Sequence, residues 1–322
     1  MPDIRPPTLN PGFCSRTRIS SKKQAARQRP THPAVPDPLL PSRLTGSGFV
    51  ASPKPGLIFL PLNSGDSVLV DSHCHLDRLD LSPFGGDFGQ LMAETASQGI
   101  VHQLCVSIDM ENYPALYDLV EPYDQVSVSV GVHPNETGGH DPAVEELIEL
   151  ARRPRVVALG ETGLDYYRSE GDHHSQQARF RRHIAAARAV DKPLIIHTRE
   201  ARADTLRILR EEGADQVGGV LHCFTEDWQT AKAAMDLGFY VSFSGIVTFR
   251  NATQVQEAAI KMPEDRLLIE TDSPYLAPVP MRGKPNYPYY VRHVAACVAK
   301  LRNMDFERLA EITTRNYHAL FG

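Results

Sequence analysis

His73 and His75 stand one residue apart at the end of an apolar run, Val68-Leu69-Val70-Asp71-Ser72-His73-Cys74-His75-Leu76-Asp77. In an extended chain, side chains two residues apart point the same way, so these imidazoles can hold one metal ion together. A pair does not complete a site, because a catalytic ion takes three or more protein ligands and leaves a position for water or substrate. Further imidazoles and carboxylates follow other apolar runs. His133 follows Val126 to Val132, Glu161 follows Val156 to Leu159, and His197 follows Leu194 to Ile196. His222 follows Val220-Leu221, and Asp272 lies three residues past Leu267 to Ile269. Taken singly, each is an ordinary polar residue at a strand end; their recurrence at the same relative place points to one shared site.

Four imidazoles (His73, His75, His197, His222) and two carboxylates (Glu161, Asp272) are too many ligands for one ion and suit two. Two cations ~3.5–4 Å apart need a carboxylate between them, and Glu161, midway along the series, is the expected bridge. The first expected set is His73, His75, Glu161 and Asp272; the second is Glu161, His197 and His222. The donors fit two divalent ions (Mg, Mn or Zn) without choosing among them. Water beside such a pair ionises near neutral pH, and Asp272 is expected to orient it and take its proton. This machinery serves phosphodiesters, and equally amides, lactones or acyl esters.

With Ile100 to Ile108 and Phe239 to Phe243, the apolar runs make eight candidate strands separated by segments of helical spacing. That alternation is the sequence form of a (βα)8 TIM barrel, in which function gathers at the carboxyl ends of the strands. Helices are expected over Asp87 to Gln98, Tyr113 to Tyr123, His174 to Val190, Ala201 to Glu212, Asp227 to Leu237 and Asn251 to Lys261, with two closing helices near Tyr289 to Leu301 and Asp305 to Leu320. Asp141-Pro142 reads as the N-cap and first position of a helix running through Ala151. Gly160 and Gly163, around Glu161, are expected to let the backbone approach a bound group.

The 322 residues carry a net charge of −5, distributed unevenly. Residues 1–66 hold 12 of the 25 prolines and nine Lys or Arg against three Asp, about +6, which leaves about −11 for residues 67–322. The first segment is expected to be a disordered Pro/Arg-rich extension, dispensable for the barrel. An organelle transit peptide is the weaker reading, since dense prolines break the amphipathic helix it needs; a third reading places the segment outside the native protein. No apolar run reaches the ~20 residues of a membrane span, and the five cysteines form no paired framework. A cytoplasmic protein with no obligate partner is expected. Cys74 and Cys223 are expected to be packing residues rather than ligands.

From about Val68 onward the chain resembles the TatD family of metal-dependent deoxyribonucleases. The resemblance rests on Val70-Asp71-Ser72-His73-Cys74-His75-Leu76-Asp77, Gly131-Val132-His133-Pro134, Gly160-Glu161-Thr162-Gly163-Leu164-Asp165-Tyr166-Tyr167, Ile196-His197-Thr198-Arg199-Glu200-Ala201, Leu221-His222-Cys223-Phe224-Thr225 and Glu270-Thr271-Asp272-Ser273-Pro274-Tyr275-Leu276. In that family the positions matching His73, His75, Glu161, His197, His222 and Asp272 are the metal ligands. The resemblance implies a (βα)8 barrel, divalent metals and hydrolysis of DNA phosphodiesters, often from a 3′ end; aminoacyl-tRNA deacylation has been proposed for some members.

The expected substrate is therefore DNA or a short nucleic-acid end. An amide, lactone or acyl-ester hydrolase on the same barrel is the alternative, and a non-catalytic metal-binding protein a further one. Three residues are candidate substrate contacts: His133, Arg199, whose guanidinium suits a phosphate, and Tyr275, which could stack on a base. Tyr166, Tyr167 and Arg282 carry the same alternatives, with packing or a surface ion pair as the plainer role.

Overall fold

The computed structural model describes residues 68–322; the expectations for residues 1–66 lie outside these residues. Eight strands alternate with helices through the described chain. They are β1 (Leu69–Cys74), α1 (Phe88–Ser97), β2 (Ile100–Cys105), α2 (Tyr113–Val120), β3 (Val126–Val130), α3 (Val144–Ala151), β4 (Val156–Asp165) and α4 (His174–Val190). The second half continues with β5 (Leu194–Arg199), α5 (Arg202–Glu211), β6 (Gly219–Leu221), α6 (Trp228–Met235), β7 (Phe239–Phe243), α7 (Thr253–Lys261), β8 (Leu267–Ile269), α8 (Val291–Leu301) and α9 (Phe306–Phe321). The strands are parallel and neighbour one another in sequence order. Backbone bonds from His75 N–H to Ser273 O (2.8 Å) and from Asp272 N–H to His73 O (2.9 Å) bring the last strand's end against the first. The buried Asp71 carboxylate adds bonds to Thr271 N–H (2.8 Å) and the Thr271 hydroxyl (2.5 Å). This is the (βα)8 barrel that the alternation predicts.

Two apolar layers hold it. The larger lies between strands and helices, with Leu69, Ile100, Leu159, Phe180 and Phe239 among its members. The smaller fills the barrel interior with Val70, Leu104, Ala158, Ile195, Val220 and Leu268, and Tyr317 and Phe321 of α9 pack against it. Along β5, β6 and β8, simple alternation carries the interior face onward from Ile195 to His197, from Val220 to His222 and from Leu268 to Asp272. In β1 and β4 it does not. Val70 is interior and Cys74 lies in the outer layer, with a register shift between Asp71 and Cys74. Ala158 is interior and Leu164 outer, with a shift between Leu159 and Thr162. Each shift changes the strand's phase by one residue, and that turns His73, His75 and Glu161 toward the mouth.

Two local expectations change. Asp141 does not cap α3, whose cap position is Ala143; its carboxylate instead pairs with Arg179 at 2.9 Å and with Arg182. Two guanidiniums on α4 offer it charge-assisted bonds that outcompete a backbone N–H. The glycines around Glu161 face neighbouring strands rather than a bound group. A Cβ at Gly160 would lie 2.6 Å from Ile195 O, one at Gly163 2.1 Å from His197 O, and one at Gly131 2.6 Å from the Gly160 backbone. Their lack of a side chain lets β3, β4 and β5 close up beneath the site.

Candidate metal centre

Glu161 is buried at the centre of the mouth, and its two oxygens face different donors. Oε1 lies 2.8 Å from His222 Nε2, 2.9 Å from His197 Nδ1 and 3.3 Å from His133 Nε2. Oε2 lies 3.4 Å from His73 Nε2 and 3.9 Å from His75 Nε2. Asp272, from the β8 end, places Oδ1 3.4 Å from His75 Nε2 and 3.7 Å from His73 Nε2. Three overlapping groups therefore have donor atoms within 4.8 Å: His73, His75 and Asp272; His73, Glu161 and His222; and His133, Glu161 and His197.

All six residues expected as ligands come together, with two differences from expectation. His133 is part of the cluster. His197 and His222 do not form a close group of their own: the His222 ring stacks on His73 at 3.9 Å, whereas His197 meets His133 edge-on at 4.5 Å.

The far nitrogens of the rings decide what the near ones can do. His75 Nδ1 faces the Val106 carbonyl at 2.9 Å and His197 Nε2 faces Asp165 Oδ2 at 3.2 Å, whereas His222 Nδ1 lies 3.4 Å from Glu270 Oε1 without a hydrogen bond. In the neutral imidazole an acceptor at the far side fixes the N–H there, so that the near nitrogen can offer its lone pair to a cation. His133 is the reverse case. Its Nδ1 accepts from the Asn135 backbone N–H at 3.0 Å, so its Nε2 carries the proton toward Glu161.

Burial works against charge on Glu161, but His222 and then His133 and His197 outweigh it and hold the carboxyl well below the usual range. Burial likewise opposes charge on His222, and Glu161 reverses it, raising the imidazole well above its ordinary value. Asp272 is lowered against burial by His75, His73 and His222. His73 is lowered by burial and by the neighbouring His222.

Both ring nitrogens of His73 are buried without a hydrogen bond. A buried polar atom left so costs ~1–3 kcal/mol unless something uses it. Imidazole nitrogens and carboxylate oxygens converging on the same space are the donors that Mg, Mn or Zn takes, and the residues present fit divalent cations. No cysteine joins the three groups. Cys74 bonds to Leu104 O at 3.4 Å, and Cys223 lies 3.2 Å from the Ser244 hydroxyl.

Of the aromatic candidates, Tyr166 is packed, stacked on His173 at 3.9 Å with its hydroxyl donating to Asp204 at 2.8 Å. Tyr167 and Tyr275 are 58% and 49% exposed, which leaves each a ring face for a ligand. Tyr275 stands edge-on to His75 at 5.9 Å. The Arg199 guanidinium lies 3.9 Å over the Tyr167 ring, at one side of a groove of about 690 Å³ that also takes in Glu200, Asp204 and Glu226.

Sequence reasoning passed over the groups behind the ligands. Asp165 takes bonds from the Tyr167 and Arg168 N–H groups at 3.0 Å and from the Asn135 side chain at 2.7 Å, besides facing His197. Glu270 accepts from Cys223 N–H at 2.7 Å and faces His222. Period-two spacing could have found both, because Asp165 lies on the same face of β4 as Glu161 and Gly163, and Glu270 lies two residues from Asp272.

The comparisons agree with this geometry. The sequence profile of the family described as TatD related DNase matches residues 70–322. The metal-dependent hydrolase YcfH of Escherichia coli K12 is 53% identical over 254 residues, covering 79% of this chain and 95% of that protein. The 3′-5′ ssDNA/RNA exonuclease TatD of Klebsiella pneumoniae is 32% identical over 251 residues, 76% of this chain and 95% of its own. Among solved structures, the TatD homologue YJJV of Escherichia coli K12 superposes with a TM-score of 0.72 at 28% identity, covering 79% of this chain and 97% of that one. With a profile match across the whole barrel and a relative 53% identical, the chain belongs to the TatD related DNase family of metal-dependent hydrolases.

Proposed function

We propose that the protein is a two-cation phosphodiesterase that removes nucleotides from DNA or short nucleic-acid ends, working from the 3′ end. The observation that carries this reading is the division of Glu161: one carboxylate whose two oxygens face separate donor sets is the arrangement two cations share. In this reading His73, His75, Glu161 and Asp272 hold one cation, and Glu161, His197 and His222 the other. Bound there, the cations would favour ionisation of water and neutralise charge on the phosphodiester.

The chain's own groups do the rest. Asp272 is the proton acceptor, because its side chain is 13% exposed while that of Glu161 is 3% exposed, so water reaches the first and not the second. His133 donates Nε2–H to a substrate oxygen. Asp165 and Glu270 hold the rings of His197 and His222 in place. The name of the Klebsiella pneumoniae relative, an exonuclease on single-stranded DNA and RNA, supports phosphate over carbonyl chemistry.

The test is hydrolysis of end-labelled single-stranded DNA and of an aryl ester, with Mg²⁺ or Mn²⁺ supplied, by the wild type and Asp272→Asn. Release of nucleotides that falls about 10²-fold or more in the variant, with a smaller loss of metal, supports the assignment. Ester or amide hydrolysis with DNA left intact moves the site to the acyl-hydrolase class, which includes aminoacyl-tRNA deacylation.

A further inference from the structure

The loops at the carboxyl ends of the strands differ in charge around the mouth. Those after β1, β2 and β3 carry Asp77, Asp80, Asp109, Glu111 and Asp141. Their single Lys or Arg, Arg78, is consumed locally by Asp109 at 2.8 Å. Past the metal-facing Asp272, the two loops after β7 and β8 hold no carboxylate at all. Residues 244–252 contain Arg250, and residues 273–290 contain Arg282 and Lys284. All three are exposed, and none is ion-paired among the described residues.

These two loops form one surface. A Cβ on Gly245 would lie 2.0 Å from Leu276 O, Val279 N–H bonds to the Thr248 hydroxyl at 2.9 Å, and the Arg282 guanidinium lies 4.0 Å over the Phe249 ring. The ring face takes the charge without occupying the guanidinium's N–H donors. The surface is continuous with the site, since Tyr275 N–H bonds to Asp272 O at 2.8 Å and the Tyr275 ring meets His75.

We propose that the joined β7 and β8 loops are the track for the phosphate backbone of a single strand whose end reaches the metal centre, with Arg282, Arg250 and Lys284 as its cationic contacts. The inference rests on the phosphodiester reading for what lies at the end of the track. A barrel of net charge about −11 repels a polyanion in bulk, so a chain can approach only over a sector without carboxylates. The groove beside Arg199 does not qualify, because its Glu200, Asp204 and Glu226 outnumber its Arg199 and Arg202. A single strand fits better than a duplex. The exposed Tyr275 ring beside the centre can take an unstacked base, which a duplex does not offer.

The experiment is equilibrium binding of a fluorescent phosphorothioate-linked oligothymidylate to the metal-loaded full chain at several salt concentrations. The patch variant is Arg250→Gln, Arg282→Gln and Lys284→Gln together; the control is Arg210→Gln, Lys232→Gln and Lys300→Gln, the same charge removed from exposed helix positions. Each phosphate contact on a single strand contributes ~0.7 to the slope of log K against log salt. The patch variant is expected to lose about 2 from that slope and the control close to none, and hydrolysis of thymidine 5′-p-nitrophenyl phosphate by the wild type is read alongside. An unchanged slope, a loss equal to the control's, or no binding by the wild type overturns the track. Absence of thymidine-ester hydrolysis by the wild type overturns the phosphodiester reading instead, and leaves the binding result to judge the surface by itself.

Discussion

The backbone N–H of Asn135 donates to His133 Nδ1 at 3.0 Å, and this one bond makes His133 unlike every other imidazole in the cluster. It places the ring proton on Nε2, 3.3 Å from Glu161 Oε1, so His133 enters the site as a donor rather than a lone pair. The Asn135 side-chain amide donates to Asp165 Oδ2 at 2.7 Å, which ties this segment to the group behind His197.

His133→Ala should therefore lower turnover by about 10²-fold, the usual loss for one preorganised donor at a site of developing charge. Metal content, measured by elemental analysis, should stay at the wild-type value. Loss of an ion on this substitution would make His133 a ligand.

Glu161→Gln removes a negative charge that both donor sets share, while His197→Ala touches one. The first should reduce occupancy of both ions and cut activity further than occupancy, because misplacement of ~1 Å costs ~10²-fold in rate. The second should release mainly one ion. Stoichiometry beside turnover separates the two; a Glu161→Gln protein that keeps two ions and normal rates would remove the bridge.

Asp165 stands behind His197 at 3.2 Å and Glu270 behind His222 at 3.4 Å. Asp165→Asn and Glu270→Gln should each weaken metal affinity about 10–100-fold, read by competition with a chelating dye, with the circular dichroism spectrum unchanged. Affinity equal to the wild type would reduce both carboxylates to structural acceptors.

Two buried histidines away from the site set an acid limit on stability. Burial lowers His183 to about 4, despite its bond to Arg179 O, and lowers His102 to about 4 with help from His318. Both are neutral in the fold, so below their ordinary value of 6.5 the unfolded chain takes up protons that the folded chain refuses. Their contribution should fall as pH drops from about 6.5 toward 4 and level off below, where the lowered carboxyls of Glu161 and Asp272 take over the loss. Each contributes on the order of 3 kcal/mol over that window. Urea unfolding with chelator present should show a shallower pH dependence for His183→Gln than for the wild type. Equal pH dependence would mean that His183 keeps its ordinary affinity for protons.

Much of this protein can be read in its sequence, because the barrel repeats one simple unit. An apolar run ending in His or Asp marks a strand whose carboxyl end enters the mouth. For His197, His222 and Asp272 the strand's own alternation continues from the interior residue to the ligand, so order and placement are both legible. Asp87 before Phe88 and Asp227 before Trp228 are likewise local signals, and both side chains cap the helices that follow.

What the tertiary structure decided is phase and proton placement. Strict alternation from Val70 or Ala158 would turn His73 and Glu161 outward; the register shifts in β1 and β4 depend on the neighbouring strands, with which each residue pairs across long sequence separations. Glycines at 131, 160 and 163 are needed by those neighbours, not by a ligand, and Asp141 belongs to α4 because two distant guanidiniums outbid a local cap. The role of His133 turns on a backbone N–H two residues away, and those of Asp165 and Glu270 on rings carried by other strands. A residue's type and spacing determine which chemistry it can do; which nitrogen holds the proton and which oxygen faces a cation are set by groups that meet only when the barrel closes.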